Sequence, residues 1–344
     1  MAYGLAAALV IILLVPTLRE NLGVTRLTER VIKPNVMSFA YAVEQAAPSV
    51  VNIYSAEIQI NNYGKQPKVN DLGSGVIMSQ DGHILTNYHV VDNAELIRVL
   101  LQDGRQYDAE VLGLDEVTDL ALLKIDASNL PAIPQDPELE AQVGDIVLAI
   151  GNPLNLGQTI TQGIISATDK KGIGNNSSFA DFIQMDAAIN LGSSGGALVN
   201  SRGQLVGINT AKAQRGIQGI FFAIPYKLAK HVMTKLLEDG EVKRGYLGLD
   251  GMPINHAGVP VMSNVESIAG IRISNVDPLG PAWKGGLLSG DILLAVNGKQ
   301  LVSFQELLAI IEDVEPGTTM NFSISRKGQL KQVSVVVGKL GVDD

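Results

Sequence analysis

A serine set among glycines is the residue of this sequence best suited to covalent chemistry. It is Ser194, which lies in the run Asp186-Ala-Ala-Ile-Asn-Leu-Gly-Ser-Ser-Gly-Gly-Ala-Leu198. A glycine-rich turn presents a hydroxyl without hindrance, and its backbone N–H groups are free to face a developing oxyanion. Because a serine hydroxyl is a weak nucleophile alone, this interpretation requires a general base and a group that orients the base.

The general base should be one of the four histidines. His83 follows an Asp-Gly turn and His256 lies among Gly and Pro, so both are predicted to be solvated, whereas His231 falls in a predicted helix. His89 comes at the end of a predicted strand, in Ile-Leu-Thr-Asn-Tyr-His, where a side chain is held and still accessible. A lone histidine near apolar residues is more often structural, so the assignment of His89 depends on its partners.

The orienting group is predicted to be Asp119, which directly precedes the apolar run Leu-Ala-Leu-Leu-Lys-Ile. Asp115, four residues earlier, is interpreted as a turn residue. His89, Asp119 and Ser194 stand 30 and 75 residues apart in the order His, Asp, Ser. That is the order of chymotrypsin-type proteases on a β-barrel scaffold, not the order of subtilisins or α/β-hydrolases.

Composition indicates the scaffold. The 344 residues include 36 glycines and only 5% aromatics, which is typical of many short strands joined by tight turns, and the length favours two or three folding units. The net charge of −9, without a dense Lys/Arg cluster, argues against nucleic acid as a partner. The lack of cysteine excludes disulfides, thiolate nucleophiles and cysteine-based zinc sites.

The pattern along the chain predicts two β units separated by a helix. Short strand-like runs recur from about residue 50 to 225, as in a two-barrel or sandwich protein, after a short helix near residues 38–48. A helical pattern covers residues 226–240, with Gly240 as its stop, and marks a domain boundary. Residues 241–340 then have strands and a helix of their own.

The N-terminal segment is predicted to meet a membrane. Residues 1–18 carry no charge and are apolar, and residues 19–37 are predicted to form a tether. A cleaved signal peptide and a retained transmembrane anchor are the alternatives, and the lack of an Ala-x-Ala-like cleavage site favours the anchor. The positive-inside rule alone would place the body in the cytoplasm, because the basic residues follow the apolar run.

Several motifs together resemble one family of proteases. The runs TNYHVV, TDLALL and GSSGGAL, with AIGNPLNLGQTITQGIIS between the last two, are similar to those of the HtrA family of trypsin-like serine proteases. The resemblance implies a mostly β chain, with a chymotrypsin-like double β-barrel over residues 38–240 and one PDZ domain over 241–340. It also implies a homotrimer without metal or organic cofactor, anchored as a single-pass protein of the bacterial inner membrane with both domains in the periplasm.

The resemblance also implies roles for the site residues. His89 is then general base and later general acid, Asp119 fixes its tautomer, and Ser194 attacks the scissile carbonyl. Gly192, Ser193 and Ser194 form the oxyanion loop, with the N–H groups of Gly192 and Ser194 facing the oxyanion. The family usually has Asn where this chain has Ser193, which is on paper a rival nucleophile, but the register against the two following glycines favours Ser194.

Two further segments resemble regulatory parts of the family. The run from Arg244 to Asp250 is similar to a PDZ carboxylate-binding loop, which binds the C-termini of peptides. Its candidate peptide-binding residues are Tyr246, Leu247, Gly248 and Leu249. The polar, glycine-rich segment 168–182 is predicted to relay peptide binding to the oxyanion loop, although it lacks the Arg that a charged relay contact would favour.

The function implied is a regulated serine endoprotease of the cell envelope. Its expected substrate is a membrane-bound anti-sigma factor or a similar regulator, and its expected activators are misfolded outer-membrane proteins, whose C-termini bind the PDZ domain. One alternative is a general protease of protein quality control. A second, less favoured alternative is an adaptor or chaperone that keeps the fold without catalysis.

Overall fold

The computed structural model describes residues 38–61, 64–152, 157–170, 182–211, 219–255, 270–301, 303–312 and 314–340. The predicted anchor, residues 1–18, and the predicted tether, residues 19–37, lie outside these ranges, as does most of the predicted relay segment 168–182. Among the described residues no helix has both the length and the apolar character needed to cross a bilayer.

The first β-barrel follows helix α1 (Ala40–Ala46) and a single 3-10 turn. Six strands close it in the order β1-β2-β3-β6-β5-β4. Its interior is filled by branched aliphatic side chains such as Ile53, Ile84 and Leu123, as expected for strands that bury alternate residues. The elements are β1 (Val50–Asn61), β2 (Gly64–Ile77), β3 (His83–Thr86), α2 (Tyr88–Val91), β4 (Leu96–Leu100), β5 (Gln106–Asp115) and β6 (Leu120–Ile125).

The second β-barrel closes in the order β10-β11-β12-β9-β8-β7. Strand β11 is buried along its whole length, and the core includes Val147, Leu198 and Ala223. The prediction of a mostly β, double-barrel chain is confirmed, and closure of both sheets decides against a sandwich. The strands are β7 (Ile146–Gly151), β8 (Thr159–Lys170), β9 (Phe182–Met185), β10 (Ala197–Asn200), β11 (Leu205–Thr210) and β12 (Phe221–Pro225).

Helix α3 (Tyr226–Asp239) follows the second barrel and ends where the sequence predicts. Its buried residues, among them Ala229, Val232 and Leu236, lie at helical spacing on one face. Gly240 ends it in the left-handed conformation, at φ +76°, with its amide donating to the carbonyl of Leu236.

The C-terminal unit contains a six-stranded sheet, in which β14-β15-β16-β18-β19 lie in that order and β17 pairs with β16, and a separate two-stranded sheet of β13 and β20. Its separate core includes Ile271, Leu293 and Phe322. The elements are β13 (Gly245–Tyr246), β14 (Leu249–Ile254), β15 (Gly270–Val276), α4 (Pro281–Lys284), β16 (Ile292–Val296), β17 (Lys299–Gln300), α5 (Phe304–Glu312), β18 (Thr319–Arg326), β19 (Gln329–Val336) and β20 (Gly338–Lys339).

A buried ion pair joins the first barrel to the C-terminal unit. Both guanidinium NH groups of Arg244 donate to Asp115, at 2.5 and 2.8 Å, and its Nε donates to Glu312 at 2.9 Å. Burial opposes the charge of the guanidinium, but the two carboxylates outweigh it and raise the pKa of Arg244. The prediction that Asp115 is a turn residue is therefore wrong, because it ends β5 and is buried against its partner.

Candidate active site

The structure brings His89 and Asp119 into direct contact. Nδ1 of His89 lies 2.8 Å from Oδ2 and 2.9 Å from Oδ1 of Asp119, and the backbone N–H of His89 donates to Oδ1 at 3.1 Å. The prediction that His89 ends a strand is wrong. Strand β3 ends at Thr86, and His89 lies in the one-turn helix α2 that follows. An imidazole held at Nδ1 by a carboxylate keeps Nε2 available as a base.

Asp119 is held by both its backbone and its carboxylate. It has φ +59°, and its carbonyl accepts from the amide of Tyr88 at 3.1 Å and from Nδ2 of Asn87 at 2.9 Å. Oδ2 accepts from the hydroxyl of Thr210 at 3.0 Å. Hydrogen bonds from other segments therefore fix both the backbone carbonyl and the carboxylate of Asp119.

Ser194 is positioned by the second barrel. It follows β9 in a loop that leads into β10, and its Oγ accepts from the amide of Ala211 at 3.1 Å. Ala211 directly follows Thr210, the residue bonded to Asp119, so the end of β11 contacts both the serine and the carboxylate. A serine oxygen that accepts this bond can still donate its proton to a base.

Ser74 of β2 fastens the serine loop to the first barrel. Its amide donates to the carbonyl of Ser194 at 2.8 Å, and its hydroxyl donates to the carbonyl of Gly192 at 2.7 Å. Gly195 lies where the barrels meet most closely, because a Cβ there would come within 2.1 Å of the carbonyl oxygen of Ser74. This close approach requires glycine after the nucleophile, which agrees with the register that favoured Ser194 over Ser193.

The oxyanion loop forms a defined turn. The amide of Ser193 donates to the carbonyl of Asn190 at 2.9 Å, and Gly192 has φ +93° while Leu191 is not in the positive-φ region. A positive φ at the third position alone defines a type II turn, which sets the direction of the Leu191–Gly192 peptide. Within the described chain, no acceptor takes the amides of Gly192 and Ser194, whereas that of Ser193 is already occupied.

This turn gives a testable prediction for Gly192→Ala. Alanine is strained at φ +93° by about 1–3 kcal/mol, so the turn should flip to type I and withdraw the Gly192 amide. Loss of one oxyanion donor should lower kcat about 100-fold, measured on a fluorogenic peptide. Gly104→Ala is the matched control, because Gly104 has φ +88° in a remote hairpin. An equal loss of activity in both variants would contradict the assignment.

A second cavity lies in the C-terminal unit, between β14 and α5. It has a volume of about 260 Å³ and an apolar wall formed by Leu249, Phe304 and Leu308. Three of the four candidate peptide-binding residues, Tyr246, Gly248 and Leu249, are among its lining residues. The side chain of Leu247 does not line the cavity, because it is only 2% exposed and packs in the core, so only its backbone is available to a ligand.

The fold and the site define a trypsin-like serine endoprotease that carries a PDZ domain. The trypsin-like peptidase domain family matches residues 73–208, and the PDZ domain family matches residues 245–337. The chain belongs to the HtrA family of serine endoproteases, and its relatives of similar length include the DegS proteases.

The serine endoprotease DegS of Haemophilus influenzae is 44% identical, over 99% of this chain and 97% of the relative. DegS of Escherichia coli K12 is 40% identical, over 98% and 96%. Among solved structures, the serine endoprotease from Yersinia pestis has a TM-score of 0.74 at 45% identity, covering 89% of this chain and all of the other. The HtrA-type protease AlgW with a decapeptide has a TM-score of 0.79 at 39% identity, with the same coverage.

Proposed function

We propose that His89, Asp119 and Ser194 are the catalytic triad of a regulated endoprotease. The observation that carries the proposal is the contact of Asp119 with His89 Nδ1 at 2.8 Å, together with the hydrogen bond from the amide of Ala211, next to Thr210, to Ser194 Oγ. His89 takes the proton of Ser194 as the hydroxyl attacks the scissile carbonyl, and then gives it to the leaving amine. The amides of Gly192 and Ser194 bind the oxyanion.

The substrate residue directly before the scissile bond (P1) is expected to be aliphatic and small or of medium size. A cavity of about 50 Å³ beside Ser193 supports this, because its lining includes Ala149, Ala188 and Ile189 and no charged side chain. None of the described lining residues has a carboxylate that could select a basic residue.

The C-terminal cavity is proposed to bind the C-termini of peptides and thereby to regulate the protease. Gly248 has φ +70°, and within the described chain no acceptor takes the amides of Leu247 and Gly248. Successive free amides in such a loop form a concave anion site suited to a terminal carboxylate. The edge of β14 away from β15 is then available for the peptide to add as a strand.

The proposed setting is the bacterial inner membrane, with residues 1–18 as the anchor, a homotrimer as the assembly, and both domains in the periplasm. The domain limits 38–240 and 241–340 belong to the same proposal. The proposed substrate is a membrane-bound anti-sigma factor or similar regulator, and the proposed activators are C-termini of misfolded outer-membrane proteins. Similarity to DegS over nearly the full chain supports this reading.

Active-site labelling tests the catalytic proposal. A fluorophosphonate probe should modify the wild-type protein and the Ser193→Ala variant at one serine, identified by mass spectrometry of the peptide. It should leave Ser194→Ala unlabelled. Labelling that persists in Ser194→Ala and disappears in Ser193→Ala would overturn the assignment, and no labelling of any form would favour a non-catalytic adaptor.

Peptide addition tests the regulatory proposal. A peptide that ends in a free carboxylate should raise the rate at which the protein cleaves the periplasmic domain of a candidate anti-sigma factor, with Ser194→Ala as the inactive control. An unchanged rate of cleavage would rule out activation. Rapid degradation of bulk unfolded protein without peptide would instead favour general quality control.

A further inference from the structure

Two aspartates border the C-terminal cavity, on the edge of the sheet where a peptide would add. Asp250 of β14 and Asp277 contribute to the lining, and none of the described lining residues is Lys, Arg or His. Asp277 is engaged, since it accepts from the hydroxyl of Tyr246 at 3.1 Å and from the amide of Leu279 at 3.0 Å. The side chain of Asp250 is exposed, and it has no ionic or hydrogen-bonded partner within the described chain. A peptide that adds to this edge of the sheet therefore meets negative charge.

The free amides of Leu247 and Gly248 fix the register of a peptide in this cavity. A terminal carboxylate held by them places the last residue beside Leu249, whose side chain belongs to the apolar wall with Phe304. An added strand that runs antiparallel to β14 then sets its penultimate residue opposite Asp250. Directly opposite residues of paired strands share a face of the sheet, so these two side chains meet.

The neighbouring strand supports the same face. Asp250 pairs in register with Asn275 of β15, and both are exposed on the face of the sheet opposite the one on which Leu249 packs. A penultimate side chain would therefore meet a carboxylate and an amide oxygen, which are acceptors, rather than an apolar surface. An ammonium or guanidinium group fits these acceptors, whereas a carboxylate would be repelled by Asp250 and, more distantly, by Asp277.

We propose that the C-terminal unit selects peptides with an apolar last residue, which enters the cavity, and a Lys or Arg immediately before it, whose cation binds Asp250 on the exposed face of the sheet. This inference rests on the proposed binding of peptide C-termini by the same cavity and adds the chemical class of the ligand. Asp250 is the specificity-determining residue, and Asn275 is a second acceptor on the same face.

Binding of matched peptides tests the inference. Three fluorescein-labelled decapeptides ending in Lys-Phe, Gln-Phe and Glu-Phe, otherwise identical, are titrated with the full chain carrying Ser194→Ala, and Kd is measured by anisotropy. The Lys peptide should bind about 3- to 5-fold more tightly than the Gln peptide, the range of an exposed ion pair, and the Glu peptide should bind most weakly. The differences should shrink at high salt.

Variants of the protein separate the inference from the proposal beneath it. Asp250→Asn should abolish the preference and Asp250→Lys should reverse it, whereas Glu315→Gln, which removes an exposed charge outside the cavity lining, should preserve it. Equal binding of the three peptides, or a Lys preference that survives in Asp250→Asn, would overturn the inference alone. If the Lys-Phe peptide binds no better than its C-terminally amidated form, or not at all, the proposed carboxylate site fails as well.

Discussion

The Asp119→Asn variant is expected to lose about 10⁴-fold in kcat with little change in KM. The carboxylate of Asp119 accepts from the imidazole and the backbone amide of His89 and from the hydroxyl of Thr210. In asparagine an NH₂ group, which can only donate, replaces one of the two accepting oxygens. It must therefore face a group that is itself a donor in the wild-type protein. If it faces Nδ1, the imidazole must accept there and carry its proton on Nε2, where it cannot take a proton from Ser194.

The backbone makes this variant a clean test. Asp119 has φ +59°, a conformation that Asn tolerates well, so the variant should fold with an unchanged thermal midpoint. Kinetics on a fluorogenic peptide give kcat and KM, and ¹⁵N NMR of labelled histidine reports the tautomer of His89. Asp108→Asn, at an exposed ion pair with Arg98, is the matched control. A loss below tenfold in a folded Asp119→Asn protein would remove Asp119 from the triad.

The three proposed catalytic residues could be chosen from the sequence because residue type, local context and chain order each restrict the choice. Only four histidines compete for the base, and only one aspartate directly precedes β6. The strand pattern likewise predicts two β units with a helix between them, since buried strands and the Gly240 helix stop depend on local sequence. The position of His89 was harder, because the four residues of α2 are too few to show a helical period.

The parts that could not be predicted depend on contacts between distant segments. Ser74 binds a carbonyl 118 residues away, and Thr210 binds a carboxylate 91 residues away, yet each resembles an ordinary strand polar residue in the sequence. The short Gly-Ser-Gly run around Ser74 is the one local signal, because small neighbours allow another chain to approach closely. The local sequence around Asp115 is misleading, because an aspartate near Thr and Glu is typical of turns and gives no sign of its buried partner.

The proposed catalytic geometry depends on hydrogen bonds between the two barrels. The first barrel contributes His89 and Asp119, and the second contributes Ser194 and the loop of Gly192. Ser74 and Thr210 each cross from one barrel to the other, so a shift of one barrel moves the serine relative to the imidazole. Groups that stabilise a transition state must be positioned to within a fraction of an ångström. Loss of either crossing contact is therefore expected to lower kcat more strongly than it lowers the free energy of unfolding.

The ion pair between Asp115 and Arg244 should dominate the attachment of the C-terminal unit. Their side chains are only 4% and 5% exposed, so Asp115→Ala leaves a buried guanidinium with Glu312 as its remaining charged partner. Breaking a buried pair costs about 3–5 kcal/mol, and the retained Glu312 places the expected loss in the free energy of unfolding near about 3 kcal/mol. The guanidinium cannot escape this cost by losing its proton, because arginine stays protonated in proteins.

Urea unfolding of Asp115→Ala measures this effect with two signals. Circular dichroism follows the whole chain, and the fluorescence of Trp283, the only tryptophan, follows the C-terminal unit. Asp108→Ala removes an aspartate from an exposed pair and should cost less than about 1 kcal/mol. Adding Arg244→Met to Asp115→Ala should recover much of the loss, because it removes the uncompensated charge. If Asp115→Ala costs no more than Asp108→Ala, the buried pair contributes nothing to the junction and its specificity must come from the apolar contacts around it.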